Sequence, residues 1–384
     1  MDQSKPLRIA ISGSYGGMNL GDEAILEGIL GRLRATLPSA EITVFSRNPA
    51  DTLARHGVQR AVPVRSLTLR ESAHEMRGLD LFILGGGGIL YDRDAETYLR
   101  EVFIAHELGI PVMVYAISAG PLTQASARAA VRDALNPAAL VTVRDRAGHR
   151  LLEDVGVTRE IHLTADPALL LEPEEVPASV LEADGVDFSH PLVGLSVREP
   201  GPAAPDIDPD EYYRLLANAA DFVAERYDAE VLFVPMEKGD VQHSHAVVAH
   251  MQNAERAEIL RRTYSPRQIL DLMGRLDLAI GMRLHFMIFA ALRGTPFAAL
   301  PYASKVSGLL TDLGMESPPL GKVNAGQLIG RVDRSWDTRD EIRAQIEGHI
   351  APLKQRSLRN NELLLELVAR QRDAEAQLSF VEHH

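Results

Sequence analysis

The chain of 384 residues contains no cysteine, which excludes disulfides, thiolate catalysis and cysteine-held metals while leaving the compartment undecided. Positive charge is scarce as well. Lys and Arg number 40 against 53 Asp and Glu, a net charge of −13. The basic footprint that phosphate backbones require is therefore missing, and no nucleic-acid partner is expected. An anionic ligand would have to be held by a local group of cations. No apolar run approaches the roughly 18 residues of a membrane span, and Met1 to Ser12 show no basic n-region followed by an apolar h-region. The expectation is a cytoplasmic protein, with a peripheral position at the inner membrane face left open. Short-period repeats, low-complexity tracts, a Gly-x-Ser-x-Gly elbow and zinc-type spacings are also missing. His243 and His245 are two residues apart at the start of a predicted helix, so they point about 200° apart and share no face. No metal site is expected.

What the chain does have is 46% hydrophobic and 24% charged residues, enough for real cores. Its first half alternates strand and helix. Predicted strands run over Leu7 to Ser12, Glu41 to Ser46, Leu79 to Leu84, Pro111 to Ala116 and Leu140 to Val143, with helices from Asp22, Thr97 and Ala125. Such alternation implies a mostly parallel, doubly wound sheet. An acidic, proline-bearing stretch over 173–190 reads as a linker. A second series follows: strands at Leu192 to Val197, Val231 to Pro235, Leu276 to Ile280 and Pro296 to Leu300, and helices at Pro209 to Tyr227, Val241 to Arg262, Phe286 to Arg293 and Lys305 to Leu313. The predicted fold is α/β and GT-B-like, with two Rossmann-like domains (1–172 and 191–335) facing across a cleft. Residues 336–384 are expected to form C-terminal helices, broken at Pro352 and packing back on the first domain.

The motifs fall at strand ends, where ligands bind in open α/β sheets. Gly281-Met282-Arg283-Leu284-His285-Phe286, with Ser304-Lys305-Val306 soon after, puts two cations and an imidazole on successive strand-to-helix turns. Arginine is a rigid bidentate partner for carboxylate or phosphate and lysine adds a point charge, so an anionic substrate is expected there. Arg198 ends the first strand of the same domain, and the polar loop with Glu237 and Asp240 ends the next. The first domain offers Gly13-Ser14-Tyr15-Gly16-Gly17-Met18-Asn19-Leu20-Gly21-Asp22, in which Asn19 or Asp22 is a candidate helix cap. It also offers Gly85-Gly86-Gly87-Gly88 and Ser118-Ala119-Gly120-Pro121, which leave strand ends nearly free of side chains. Arg144 either reaches into the cleft or forms an ion pair with Asp166.

Taken together, GSYGGMNLGDEAIL, LGGGGILYD, SAGP, VTVRD, ADPAL, GMRLHFMIFAALRGTP and KVSGLL resemble, in order, the polysaccharide pyruvyltransferase family, in particular its bacterial branch acting on cell-wall polysaccharide. The resemblance runs from about Ile11 to Leu310. It implies transfer of pyruvate from phosphoenolpyruvate to a sugar hydroxyl pair as a ketal, with phosphate released. It also implies phosphoenolpyruvate as co-substrate, no other cofactor, and a sugar acceptor that is free or lipid-linked at the membrane surface. Homo-oligomerisation is left open. Arg283 and His285 match the family's donor site, and Arg144, Arg198 and Lys305 match it less closely. In the chemistry so implied His285 is the acid. Arg283, Arg198 and Arg144 bind the donor's anionic groups, Lys305 with Ser304 receives phosphate, and Asp22 and Asn19 handle acceptor hydroxyls. Gly16, Gly17, Gly87, Gly88, Ser118 and Gly120 complete the expected substrate-binding set. Two departures bear on the acceptor: Ala116 or Ile117 stands where the family often has Gln, and Ala303 where it has Asp. Two rival readings are a GT-B glycosyltransferase using a nucleotide sugar, with Glu237 or Asp240 on the ribose, and a non-catalytic sugar- or anion-binding protein.

Overall fold

A computed structural model describes residues 6–199, 208–300, 304–316 and 324–382, which form two compact units. The first contains β1 (Arg8–Ser12), α1 (Leu20–Thr36), β2 (Glu41–Ser46), α2 (Pro49–His56), β3 (Arg60–Pro63), α3 (Leu69–Met76), β4 (Leu81–Leu84) and β5 (Gly87–Leu90). It continues with α4 (Ala95–Glu107), β6 (Val112–Ala119), α5 (Ala125–Leu135), β7 (Leu140–Val143), α6 (Arg146–Val155) and β8 (Ile161–Leu163). Its parallel sheet has the order β3-β2-β1-β4-β6-β7-β8, with β5 paired to β6 beyond the end of β4. Because helices cover both faces, the central strands are apolar without alternation: β4 reads LFIL and β6 VMVYAISA, every residue buried.

The second unit begins with α7 (Ala178–Glu182) and β9 (Leu192–Ser196), followed by α8 (Pro209–Tyr227), β10 (Glu230–Phe233), α9 (Asp240–Val248), β11 (Ala257–Ile259) and α10 (Pro266–Met273). Then come β12 (Leu278–Gly281), α11 (Leu284–Leu292), β13 (Phe297–Ala299), α12 (Ser304–Asp312), α13 (Ala325–Asp337) and the long α14 (Arg339–Glu382). The parallel sheet order is β11-β10-β9-β12-β13, a Rossmann-like winding. Local signals start its helices well. Ser265 and Gln268 form a capping box around Pro266 at the head of α10, and Asp208 caps α8 ahead of Pro209.

Asn19, Leu20 and Gly21 belong by packing to the second unit, and residues from Lys354 onward to the first. The fastening of α14 to the first sheet is a buried amide. Asn360 Oδ1 accepts from the hydroxyls of Thr142 (2.6 Å) and Thr164 (2.8 Å), while its Nδ2 donates to the carbonyl of Ala165 (3.1 Å).

Several sequence expectations give way here. The predicted helix over Val241 to Arg262 ends at Val248 and is followed by β11 at the sheet edge. The strands β3, β5, β8 and β11 are three or four residues long. Their conformation is set by a neighbouring strand rather than by local propensity, which explains why the sequence pattern passes over them. The presumed linker carries α7, whose Leu181 is fully buried, and Asp184 accepts from the Tyr264 hydroxyl at 3.0 Å. Finally, α14 runs on through Pro352. Buried Ile346, Leu353, Leu363 and Leu364 flank the proline. At about 1.5–3 kcal/mol for each large apolar side chain, their burial outweighs the roughly 3 kcal/mol a helix-interior proline costs.

Candidate active site

In each sheet the strand order reverses between the first and fourth strands of the winding, and ligands bind outside the carboxyl ends at that point. In the second unit the point lies between β9 and β12, with Arg198 and Arg283 each two residues past the strand end. Helix α11 follows directly, with Leu284, Phe286, Met287, Ile288 and Phe289 all buried. This apolar anchor holds the turn still. Arg283 occupies the N-cap position in extended conformation, and His285 lies in the first helical turn, partly exposed.

The guanidinium of Arg283 is not aimed at open solvent. Its Nε donates to Asp240 Oδ2 at 3.1 Å, and its Nη2 pairs with both Asp240 and Glu237. Asp240 also accepts from the backbone N–H groups of Met236 (3.0 Å) and Glu237 (3.3 Å), which shapes the loop after β10. Glu237 in turn accepts from Asn19 Nδ2 at 2.8 Å. Asn19 caps α1, its Oδ1 accepting from Gly21 N–H at 3.0 Å, and Leu20 N–H donates to the Met236 carbonyl at 2.8 Å. A Cβ on Gly21 would lie 2.1 Å from His285 Nδ1, so a side chain there would strike the imidazole. Arg283, Glu237, Asp240, Asn19, Gly21 and His285 therefore form one connected group.

Its charges are unevenly stabilised. Burial raises the Asp240 carboxyl above its usual range, and Arg283 only partly offsets this. Burial acts on Glu237 in the same direction, yet Arg283, Asn19 and Arg198 together hold it below the usual range. Burial also works against the charge on Arg283, but Asp240 and Glu237 more than restore it.

The corresponding edge of the first unit is built on close backbone approach. Gly16, at φ +71°, faces Ser46 and Asn48, where a Cβ would meet Ser46 Oγ at 2.1 Å, and a Cβ on Gly17 would meet the Arg47 guanidinium at 1.9 Å. These two glycines are explained by packing against the chain itself. Gly85 likewise faces the hydroxyl of fully buried Tyr15, whose phenol is raised well above its usual value by burial and then by Asp22 and Glu23. Gly87 (φ +114°) has more room, with Asp22 Oδ1 3.7 Å from a built Cβ, and Gly88 is exposed. Ser118 is buried and pairs in register with Gly88, while Gly120 turns against Leu151. A buried pair missed by the sequence reading, Glu23 and His56 at 2.8 Å, supports this edge, and Glu23 also accepts from Gly16 N–H at 2.9 Å. Thirty-three positions separate its members, so no local signal identifies it.

Of the other predicted residues, Arg144 is buried and paired with Asp166. Lys305 lies partly buried in the first turn of α12, which Ser304 opens, and Ala303 lies outside the described residues. His243 stacks on Tyr213 and bonds its hydroxyl at 2.6 Å. Among the described residues one group, Asp187, His190 and Glu230, gathers metal-type ligand atoms within 4.8 Å. It lies near the surface, where Arg256 already pairs with Glu230 at 2.8 Å.

The family model for polysaccharide pyruvyl transferases matches residues 19–304, from Asn19 through Arg283 and His285 to the start of α12. The chain belongs to the polysaccharide pyruvyl transferase family. A curated relative of this chain is the amylovoran biosynthesis protein AmsJ of Erwinia amylovora, 20% identical over 397 residues that span 88% of this chain and 94% of AmsJ. Among solved structures it is similar to HepE of Anabaena in complex with UDP (14% identity, TM-score 0.64, covering 95% of this chain and all of that one). It is also similar to UDP-GlcNAc 2-epimerase of Neisseria meningitidis bound to UDP-GlcNAc (9% identity, TM-score 0.64, covering 94% and 99%). At these identities the likeness shows the fold, which is GT-B-like with two Rossmann-like units. By family the chain is a transferase of polysaccharide biosynthesis. Among its described residues no helix is long and apolar enough to cross a membrane.

Proposed function

We propose that the protein transfers pyruvate from phosphoenolpyruvate to two hydroxyls of a sugar, on a polysaccharide or its lipid-linked precursor, forming a ketal and releasing phosphate. The single observation that carries the donor assignment is the turn after β12, where Arg283 and His285 stand two residues apart at the switch point of a chain with net charge −13. In this reading His285 gives its proton to the methylene carbon of the enol ether. Positive charge then develops at the neighbouring carbon, a sugar hydroxyl oxygen bonds to it as its proton returns to His285, the carbon–oxygen bond to phosphate breaks, and the second hydroxyl closes the ketal while its proton leaves with the phosphate. Arg283 and Arg198 hold the donor's anionic groups, and Lys305 with the first N–H groups of α12 receives the phosphate. Asp22, beside Gly87 in the first unit, and Asn19 are the proposed partners of acceptor hydroxyls. The scheme calls for no metal or redox group, and it is compatible with work at the cytoplasmic membrane face.

A second reading, glycosyl transfer from a nucleotide sugar, is favoured by one feature: Glu237, an ionised and partly exposed carboxylate at a strand end of the second unit, where a donor ribose would need one. One assay separates them. Incubated with candidate sugar acceptors, the protein should release inorganic phosphate from phosphoenolpyruvate and no nucleotide from UDP-sugars. In heavy water the product should carry deuterium in a ketal methyl group. Nucleotide release without phosphate release would replace the first reading by the second.

A further inference from the structure

The two carboxylates on Arg283 differ in a way that bears on donor binding. The Asp240 side chain is 1% exposed and is fixed by two backbone N–H groups as well as by the arginine. The Glu237 side chain is 37% exposed, and its other bond is to the Asn19 amide. Asp240 therefore acts as a fixed brace that sets the direction of the guanidinium, while Glu237 is the partner that can leave. One guanidinium facing two carboxyls is also a poor seat for a further anion, since the like charges repel at short range in a poorly screened site. The Arg283 side chain itself is only 11% exposed, so a second carboxylate or phosphate has little surface left to bind.

We infer that Glu237 occupies the donor's anion seat on Arg283 in the empty enzyme and is exchanged for the donor on binding, an inference that rests on the phosphoenolpyruvate assignment above. Arg198 is close enough to favour the ionised form of Glu237, so the displaced carboxylate keeps a cation and the Asn19 amide within reach. The exchange makes Glu237 a specificity residue. A ligand with one carboxylate, such as pyruvate, meets a tethered carboxylate of equal charge and gains little. Phosphoenolpyruvate brings phosphate and carboxylate together and prevails. The discrimination is a difference between two affinities, set in part by the repulsive element at the seat.

The test is calorimetric titration of the full chain with phosphoenolpyruvate and, separately, pyruvate, comparing wild type with Glu237→Gln and Glu237→Ala. Gln keeps groups able to bond Arg283 and Asn19 while removing the charge, and thermal unfolding verifies that each variant is folded. Both variants are expected to bind phosphoenolpyruvate about tenfold more tightly than wild type, and to gain pyruvate binding that wild type lacks, as expected when a competing state is removed. Equal or weaker phosphoenolpyruvate binding by Glu237→Gln, with wild type binding normally, would overturn the exchange and leave the donor assignment standing. Binding of phosphoenolpyruvate by neither protein, with wild type binding a UDP-sugar, would overturn both.

Discussion

The carboxyl edges of the two sheets are wound alike but furnished differently. In the first unit the turns after β1 and β4 are glycines pressed against Ser46, Arg47 and Tyr15, with the Glu23–His56 pair beneath them. In the second unit the equivalent turns carry Arg198 and Arg283, of which Arg283 is paired with Glu237 and Asp240 on the loop after β10 and Arg198 helps hold the Glu237 carboxyl below its usual range. Much of the first edge's glycine content serves the chain's own packing, which leaves Gly87, Gly88 and Asp22 as the part with room for a ligand. The second edge concentrates charge and the titratable imidazole. Chemistry is thus expected to fail when the second edge is altered, and folding when the first is.

The largest expected effect is at His285. His285→Gln should lower turnover by roughly 10²-fold or more while donor affinity stays within a few-fold, as for a lost general acid. Unchanged turnover and pH profile would move the acid role elsewhere. Gly21→Ala is a sharper probe, because alanine in place of glycine favours a helix by about 1 kcal/mol while its Cβ collides with the imidazole. Turnover should fall by more than the stability cost accounts for, since the overpacking penalty of about 1–3 kcal/mol is offset in part by the helix gain. A variant as active as wild type would show that the Gly21 contact does not position His285.

Next comes Arg283. Arg283→Ala should weaken donor binding strongly, and Arg283→Lys should recover only part of it, since an ammonium cannot span Asp240 and an anion as a fork does. Full recovery by lysine, measured as donor KM, would remove the bidentate argument.

At the first edge, Gly85→Ala should cost about 1–3 kcal/mol, the usual penalty for overpacking, because its Cβ would lie 1.9 Å from the Tyr15 hydroxyl. Tyr15→Phe in the same chain should restore much of the loss, read as the denaturant midpoint of the double variant. No restoration would mean that the strain lies in the backbone rather than in that contact.

The smallest effect is in acid. The folded-state value of Glu237 is depressed, so its contribution is present above its unfolded value near pH 4.3 and is lost as pH falls below it. The raised value of Asp240 acts oppositely: the folded state takes up its proton first, which favours folding as pH falls through that range. The two partly cancel. Glu237→Gln should therefore be less sensitive to acid below about pH 4 than wild type, and parallel curves of unfolding midpoint against pH would contradict the ion-pair account.

How much of this was legible in the sequence follows from the range of each signal. Strands buried on both faces, such as β4 and β6, and helices with a serine or aspartate cap ahead of proline, such as α8 and α10, carry their signals within a few residues. β4, β6 and α8 were read to within a few positions, whereas α10 was passed over despite its cap. The short strands β3, β5, β8 and β11 carry no such signal, although β13, equally short, was read from its apolar run. The passage of α14 through Pro352 also depended on the burial of Ile346, Leu353, Leu363 and Leu364 on either side of it. In the site, the Arg-x-His turn was legible because both residues follow one strand. The partners of Arg283 were visible only as a polar loop with no stated link to it.

The sequence alone determined the family, the parallel α/β winding and the placing of Arg283 and His285 on one strand-to-helix turn, because motif order and hydrophobic period are properties of neighbouring residues. Only the tertiary structure decided that Arg283 is already engaged, by Asp240 and Glu237 from 43 and 46 positions away, and that Gly21 lies against His285. Ion pairing and steric contact depend on separation in space and on the local dielectric, and neither is a function of distance along the chain.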